Sequence, residues 1–254
     1  MSIISRILFF LLLWAAPALA ANPAFVAGTV NSGSGLSVTT VTVTSTGSVT
    51  VGDIMLVTIV PVGAASAPTA ITPPAGWSTA LATTTVGASN ASAAVFWKLQ
   101  AASGAFSGAF TWTTTGAGAT WTFSEWSGAN TTLPLDGTAT ISQNASSANP
   151  TSPSITPAAG NTSDTLVGFM IGDATGVATT VTKPTTMSTV VIVNESTTVP
   201  LTGAASLALA SAAATGTKQW TLSGAEVTLG VSLLLQPAGG GTACQPMNLL
   251  GVGC

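Results

Sequence analysis

Residues 105–128 read AFSGAFTWTTTGAGATWTFSEWSG. Apolar side chains recur at every second position in 106–113 and 119–127, which is the spacing of a β-strand with one buried face. Phe106, Phe110 and Trp112 then face a core and Thr111 and Thr113 face outward, with one irregularity at Ser107-Gly108. In the second run Trp121, Phe123 and Glu125 share one face, and Thr122, Ser124 and Trp126 share the other. A Thr-Thr-Thr-Gly-Ala-Gly link between two such runs predicts a hairpin. We expect it at the centre of a β-sandwich.

The same texture continues on both sides. Alternation predicts a strand at 38–44, with Val41 and Val43 inward and Thr40, Thr42 and Thr44 outward. Segment 54–61 is nearly all apolar, which predicts a central strand covered on both faces. Further strands are expected at 77–86, 93–100, around Ile141, and at 166–171, 188–194, 218–222 and 227–235. The Ala-rich piece 207–214, bracketed by Gly203 and Gly216, also reads as strand. No stretch carries a sustained 3.6-residue stripe. Turns every eight to twelve residues argue for an all-β sandwich or barrel, and we read an antiparallel β-sandwich.

The 254-residue chain is 46% hydrophobic and only 4% charged, far below the usual quarter. It can bury a core, but Thr, Ser and Asn must supply its polar surface. Little charge repulsion then opposes self-association. Beyond Arg6, three lysines face seven acids, so no nucleic-acid footprint is present. There is no His and no Tyr, which removes His bases, His metal ligands and Tyr acids from consideration.

Residues 1–20 read as a secretory signal: Arg6 charges the start, 7–16 is apolar, and Ala18-Leu19-Ala20 precedes a cleavage point. An uncleaved anchor is the alternative, but the run is shorter than the roughly 20 residues a span requires. Cleavage implies an exported chain, secreted or at the cell surface, with no membrane span afterwards. Residues 21–237 form the β domain. Residues 238–254 form a tail, with a hinge at Gly239-Gly240-Gly241 and the only cysteines, Cys244 and Cys254. In an exported chain an intramolecular disulfide is the default, closing a loop of about ten residues worth ~3 kcal/mol. Intermolecular crosslinks and unpaired thiols are the alternatives.

Two halves, about 38–135 and 138–236, match in order. Gly52-Asp53-Ile54-Met55-Leu56-Val57 corresponds to Ser163-Asp164-Thr165-Leu166-Val167-Gly168. Pro74 to Thr79 corresponds to Pro184 to Thr189, Trp112-Thr113 to Trp220-Thr221, and Trp121-Thr122-Phe123 to Val227-Thr228-Leu229. We read an internal duplication, with 142–161 as the linker. The halves could make two sandwiches or one; we expect one pseudo-symmetric sandwich.

Gly52-Asp53 before an apolar strand, Pro73-Pro74-Ala75-Gly76-Trp77, Phe96-Trp97-Lys98, the Thr-rich link, and Trp126-Ser127-Gly128 before Pro134-Leu135-Asp136 carry a resemblance. Over about 49–237 the chain resembles uncharacterised jelly-roll-like β-sandwich proteins of phage tail regions and secreted bacterial proteins. The resemblance implies a jelly-roll-like sandwich in fibres or on surfaces and brings no catalytic residues. The signal peptide favours a secreted bacterial member.

Candidate sites follow from the acids and tryptophans. Asp53 and Asp164 stand at equivalent strand starts, where Asp ordinarily bonds turn N–H groups; Asp136 reads the same way. Asp136, Asp164 and Asp173 are the calcium candidates, though no Asp-x-Asp-x-Asp run is present. No other cofactor is implied. An inward Glu125 requires a partner, and Lys98 on a neighbouring strand is the available cation. A glycoside hydrolase would need two carboxyls, nominally Glu125 and Glu226. A glycan-binding module would stack sugars on an exposed Trp. Trp126, with Glu125 and Asn130 beside it, is the best-placed candidate, against the ordinary alternative of core packing. Thr ladders such as Thr40, Thr42 and Thr44 suit a crystal surface but also simply stabilise sheets. The sequence therefore favours a structural or adhesive protein that is not an enzyme, acting through self-assembly or surface glycans. Glycan binding ranks second and a glycoside hydrolase third.

Overall fold

The computed structural model describes residues 20–114, 116–173, 180–194 and 199–239. In the first half, strands run β1 (Ala24–Phe25), β2 (Asn31–Leu36), β3 (Thr40–Val49), β4 (Ile54–Gly63), β5 (Ile71–Thr72), β6 (Ser78–Thr85), β7 (Ser92–Leu99), β8 (Gly104–Trp112) and β9 (Gly116–Ser127). The second half contributes β10 (Thr140–Ser147), β11 (Thr151–Ser152), β12 (Thr165–Gly172), β13 (Val181–Thr182), β14 (Ser188–Val193), β15 (Thr202–Ala208), β16 (Lys218–Gln219), β17 (Thr221–Leu222) and β18 (Glu226–Leu235). One turn of 3-10 helix, Ala27–Thr29, is the only helix among the described residues. None of those residues forms a helix long and apolar enough to cross a membrane.

Every strand pair is antiparallel. The two large sheets have the orders β1-β9-β4-β7-β6, with β2 also on β9, and β10-β18-β12-β15-β14. Taken by place in the chain, the two orders are the same: each half puts its last long strand beside its first central one. The smaller sheets repeat too. β8 pairs β3 and β5, as β16 pairs β11 and β17 pairs β13.

Alternation explains how these sheets stack. Ile54, Leu56, Val60 and Val62 of β4 face Val167, Phe169 and Ile171 of β12 across a central core. The other face of β4, Met55, Val57 and Ile59, packs under β3 and β8 with Phe110, Trp112, Trp121 and Phe123. The other face of β12, Leu166 and Met170, packs with Val181, Trp220 and Leu222. Each large sheet is therefore covered on both sides. That is why every residue of β4 and of β12 is buried, as the near-continuous apolar segment predicts.

Several local expectations change. The two runs of 105–128 are not a hairpin: β8 belongs to the small outer sheet and β9 to the large one. Between Trp112 and Gly116 the chain passes from one layer to the next, and Phe106 stacks on Phe123 at 5.6 Å across the gap. Period two is the same for a hairpin and for such an arch, so the pattern alone does not separate them. The expected linker 142–161 is partly strand, because β10 continues to Ser147 and β11 follows. The strand expected at 207–214 lies at Thr202–Ala208 and ends at the start of the Ala-rich run. Strand register also shifts two of the matches between halves. Ile71 pairs Trp112 and Val181 pairs Leu222, so Phe110, not Trp112, occupies the place of Trp220. Ile59 pairs Trp121 and Met170 pairs Gly230, which makes Gly230 rather than Val227 the counterpart of Trp121.

The first residues of the β domain tie the halves together. Asn22 Nδ2 donates to the carbonyls of Asp164 and Leu209, both at 2.8 Å, and Thr165 Oγ1 donates to Pro23 O at 2.7 Å. Phe25 then packs on Trp126, with ring centroids 5.6 Å apart. A second tie, Thr120 Oγ1 to Thr202 Oγ1 at 3.0 Å, bridges the large sheets inside the molecule.

Candidate functional site

Trp126 is fully buried: the ordinary alternative of core packing holds, and the ring is not exposed as stacking on a sugar requires. It lies in the central core, and its Nε1 donates to Ser124 Oγ at 3.0 Å. The face of β9 opposite Trp121 is also a core face, because a second large sheet covers it. Asn130 serves the turn after β9: its Oδ1 accepts from Thr132 N at 2.9 Å and Leu133 N at 3.0 Å. Trp112, Trp121 and Trp220 are buried as well. Trp77 and Trp97 are half-buried. Trp77 lies edge-on to Phe106 and Phe110, and Trp97 packs against the central core. Among the described residues no tryptophan is exposed.

The acids converge in pairs. Glu125 is fully buried, and its Oε1 accepts from Thr50 N at 2.7 Å in the turn between β3 and β4. Its side-chain partner is Asp53, at the end of that turn. Lys98 is not the partner: Met55 lies between them in register, and Lys98 Nζ comes up against Gly76. In the second half the equivalent Asp164 is fully buried and meets Asp136. Asp136 Oδ2 in turn accepts from Ala158 N at 2.7 Å. Both pairs share one construction. An Asp stands before the central strand, a second carboxyl meets it, and a loop N–H anchors that second carboxyl. At the far end of β12, Glu226 Oε1 accepts from Asp173 N at 2.9 Å, and both residues are buried.

No uncharged N–H or O–H reaches Glu125 Oε2 or either side-chain oxygen of Asp164. What meets these residues is another carboxyl, and two carboxyls hydrogen-bond only when one keeps its proton. Burial, then the hydrogen bond to Glu125 and its charge, push the Asp53 carboxyl up to about 6. Burial, then the hydrogen bond to Asp136 and its charge, push Asp164 up to about 8. Burial also pushes Asp136 upward, but hydrogen bonds with Asp164, Asn161 and Ala158 outweigh it and hold the group below its ordinary value. Asp136 is thus the charged acceptor and Asp164 the protonated donor.

The calcium trio does not assemble. Asp164 and Asp136 meet, but Asp173 follows β12 at its other end, with the whole strand Thr165–Gly172 between them. Among the described residues no three acids gather as a metal would require. The two glutamates named for a hydrolase do not converge either. Glu125 alternates with Trp121 and Phe123 on the outward face of one large sheet. Glu226 presses on Gly172 at the outward face of the other, with the central core between them. Cys244 and Cys254 lie outside the described residues.

The chain matches no family model, no curated protein and no solved structure.

Repetition was the one sequence signal that pointed to the acid pairs. Asp53 and Asp164 recur at the same strand start, and the pattern marked them as turn residues. The second carboxyl is Glu125 on a strand in one half and Asp136 on a loop in the other. No shared spacing could have revealed both.

Proposed function

We propose that this is an exported structural or adhesive β-sandwich protein, jelly-roll-like and built from two duplicated halves. It would act at a cell surface or in an extracellular or fibre assembly, as the resemblance to phage-tail-region and secreted bacterial sandwiches implies. One observation carries the reading: among the described residues no charged side chain is exposed. Asp53, Glu125, Asp164, Asp173 and Glu226 are buried, and Asp136 and the three lysines are half-buried. The outer sheet β3-β8-β5 has no charged residue at all, and presents Thr40, Thr42, Thr72, Ser107 and Thr111 outward. Such a hydroxyl-and-methyl coat meets another surface with little desolvation cost and almost no repulsion. The buried and half-buried tryptophans favour this reading over glycan binding. The placement of Glu125 and Glu226 favours it over glycoside hydrolysis.

Fractionation of a bacterium expressing the full chain, followed by sedimentation of the processed protein over a wide concentration range, tests the proposal. The expected result is a chain beginning at Ala21, outside the cytoplasm, that assembles or adheres. Export without assembly or adhesion would overturn it. Retention in the cytoplasm would do so as well. Specific glycan-array binding that survives in the fully folded protein would transfer the assignment to the glycan-binding reading.

A further inference from the structure

We propose that Asp53 and Glu125 form a proton-operated latch: one shared proton fastens the Thr50-to-Asp53 turn onto β9, and its loss releases that turn. The turn is held at several points around the pair. Thr50 N donates to Glu125 Oε1 at 2.7 Å, Val51 N to Ser103 Oγ at 3.2 Å and Gly52 N to Gln100 O at 2.9 Å. Gln100 N returns a bond to Asp53 O at 2.9 Å. Gly52 takes φ +89°, a conformation that side chains other than glycine adopt at a cost, so the turn has one shape that satisfies all these bonds.

The surroundings offer no alternative to the proton. Around the pair stand β1, β3, β4, β7, β8 and β9, whose only ionisable side chains are Glu125 itself and Lys98. Lys98 is separated from Glu125 by Met55. Two ionised carboxyls in contact, with one of them fully buried, repel, and no lysine of these strands stands between them. The protonated pair is instead an ordinary hydrogen bond. The turn is the part free to move, because Glu125 is held in the middle of a sheet between β4 and the N-terminal segment, where Val26 N donates to its carbonyl.

The sign is definite. A carboxyl whose folded value is raised gives stability that is fully present below its unfolded value and lost as pH rises through the folded one. For Asp53 that window runs from 3.8 to about 6. A shift of about two units corresponds to an opening equilibrium of the turn about 100-fold larger above the window than below it.

Hydrogen exchange of the Thr50, Val51, Gly52 and Asp53 amides, corrected for the intrinsic pH dependence of exchange, reads this opening directly. It is measured across the window in the full chain and in Asp164→Asn, so that the second pair does not contribute. Protection should fall by about 100-fold in both. Asp53→Asn keeps a donor toward Glu125 but cannot ionise, and should stay protected throughout. If that variant fails to fold, Glu125→Gln provides the same test from the other side. Protection that is flat with pH, or that falls equally in Asp53→Asn, would overturn the latch. So would calcium restoring wild-type protection above the window, since the pair would then be a cation site.

Discussion

Replacing Asp164 by Asn should make the protein more stable than wild type near neutral pH, with the gain vanishing in acid. In the folded chain Asp164 is a protonated donor to Asp136 with a pKa of about 8, against 3.8 for an ordinary Asp. Folded and unfolded chains differ in bound protons throughout that interval, so stability is fully present below 3.8 and lost as pH rises toward 8. Between the lower limit and neutrality the interval is about three units, or roughly 4 kcal/mol at 1.36 kcal/mol per unit. Asp136 acts in the opposite sense. Its folded value is lowered, so its contribution is present above the ordinary carboxylate range and is lost as pH falls through the lowered value. Wild-type stability should therefore peak in mild acid and decline toward neutral pH. An Asn amide donates to Asp136 as the protonated carboxyl does, but never ionises. Urea midpoints followed by tryptophan fluorescence should show most of the decline removed in Asp164→Asn, with an unchanged m-value. A decline as steep in the variant as in wild type would show that Asp164 is ionised in the folded chain, and the argument from shared protons would fail.

Three further predictions test the packing. Trp126→Ala should lose about 3–5 kcal/mol in urea unfolding, because it empties a fully buried site; near-wild-type stability would place the ring at the surface. Thr120→Val should cost about 1–3 kcal/mol by leaving Thr202 Oγ1 unsatisfied, while Thr120→Val with Thr202→Val should be nearly neutral; additive losses would deny the tie between the large sheets. Gly230→Ala should be strongly destabilising, since its Cβ would run into the Thr151 carbonyl and lie 2.9 Å from Ser152 Cα. A thermal midpoint within error of wild type would mean that β11 does not lie over β18.

The inner and outer faces of most strands were legible in residue order. Val41 and Val43 point inward while Thr40 and Thr42 point outward, and the apolar run of β4 announced cover on both sides. Opposite faces for Trp121 and Trp126 also followed from alternation. What alternation left open was what covers each face. A strand's two faces look alike until a second sheet arrives, so Trp126 stood as the best-placed candidate for exposure beside the ordinary reading of core packing, and β12 and β18 of the other half bury it. The acid pairs were hidden for a related reason. Asp53 and Glu125 stand 72 residues apart, and Asp136 and Asp164 stand 28 apart on unlike elements.

By itself, the order of residues determined the strand pattern, the turn positions and the scarcity of charge. These depend on the pleat and on the side chains, which act between neighbours in the chain. Only the tertiary structure decided that residues 105–128 bridge two layers instead of forming a hairpin. It alone buried Trp126, and it alone paired the acids and so left the surface without an exposed charge among the described residues. Those outcomes depend on contacts between residues far apart in the chain. In a chain this poor in cations, a buried carboxyl next to a second one is satisfied by keeping a proton.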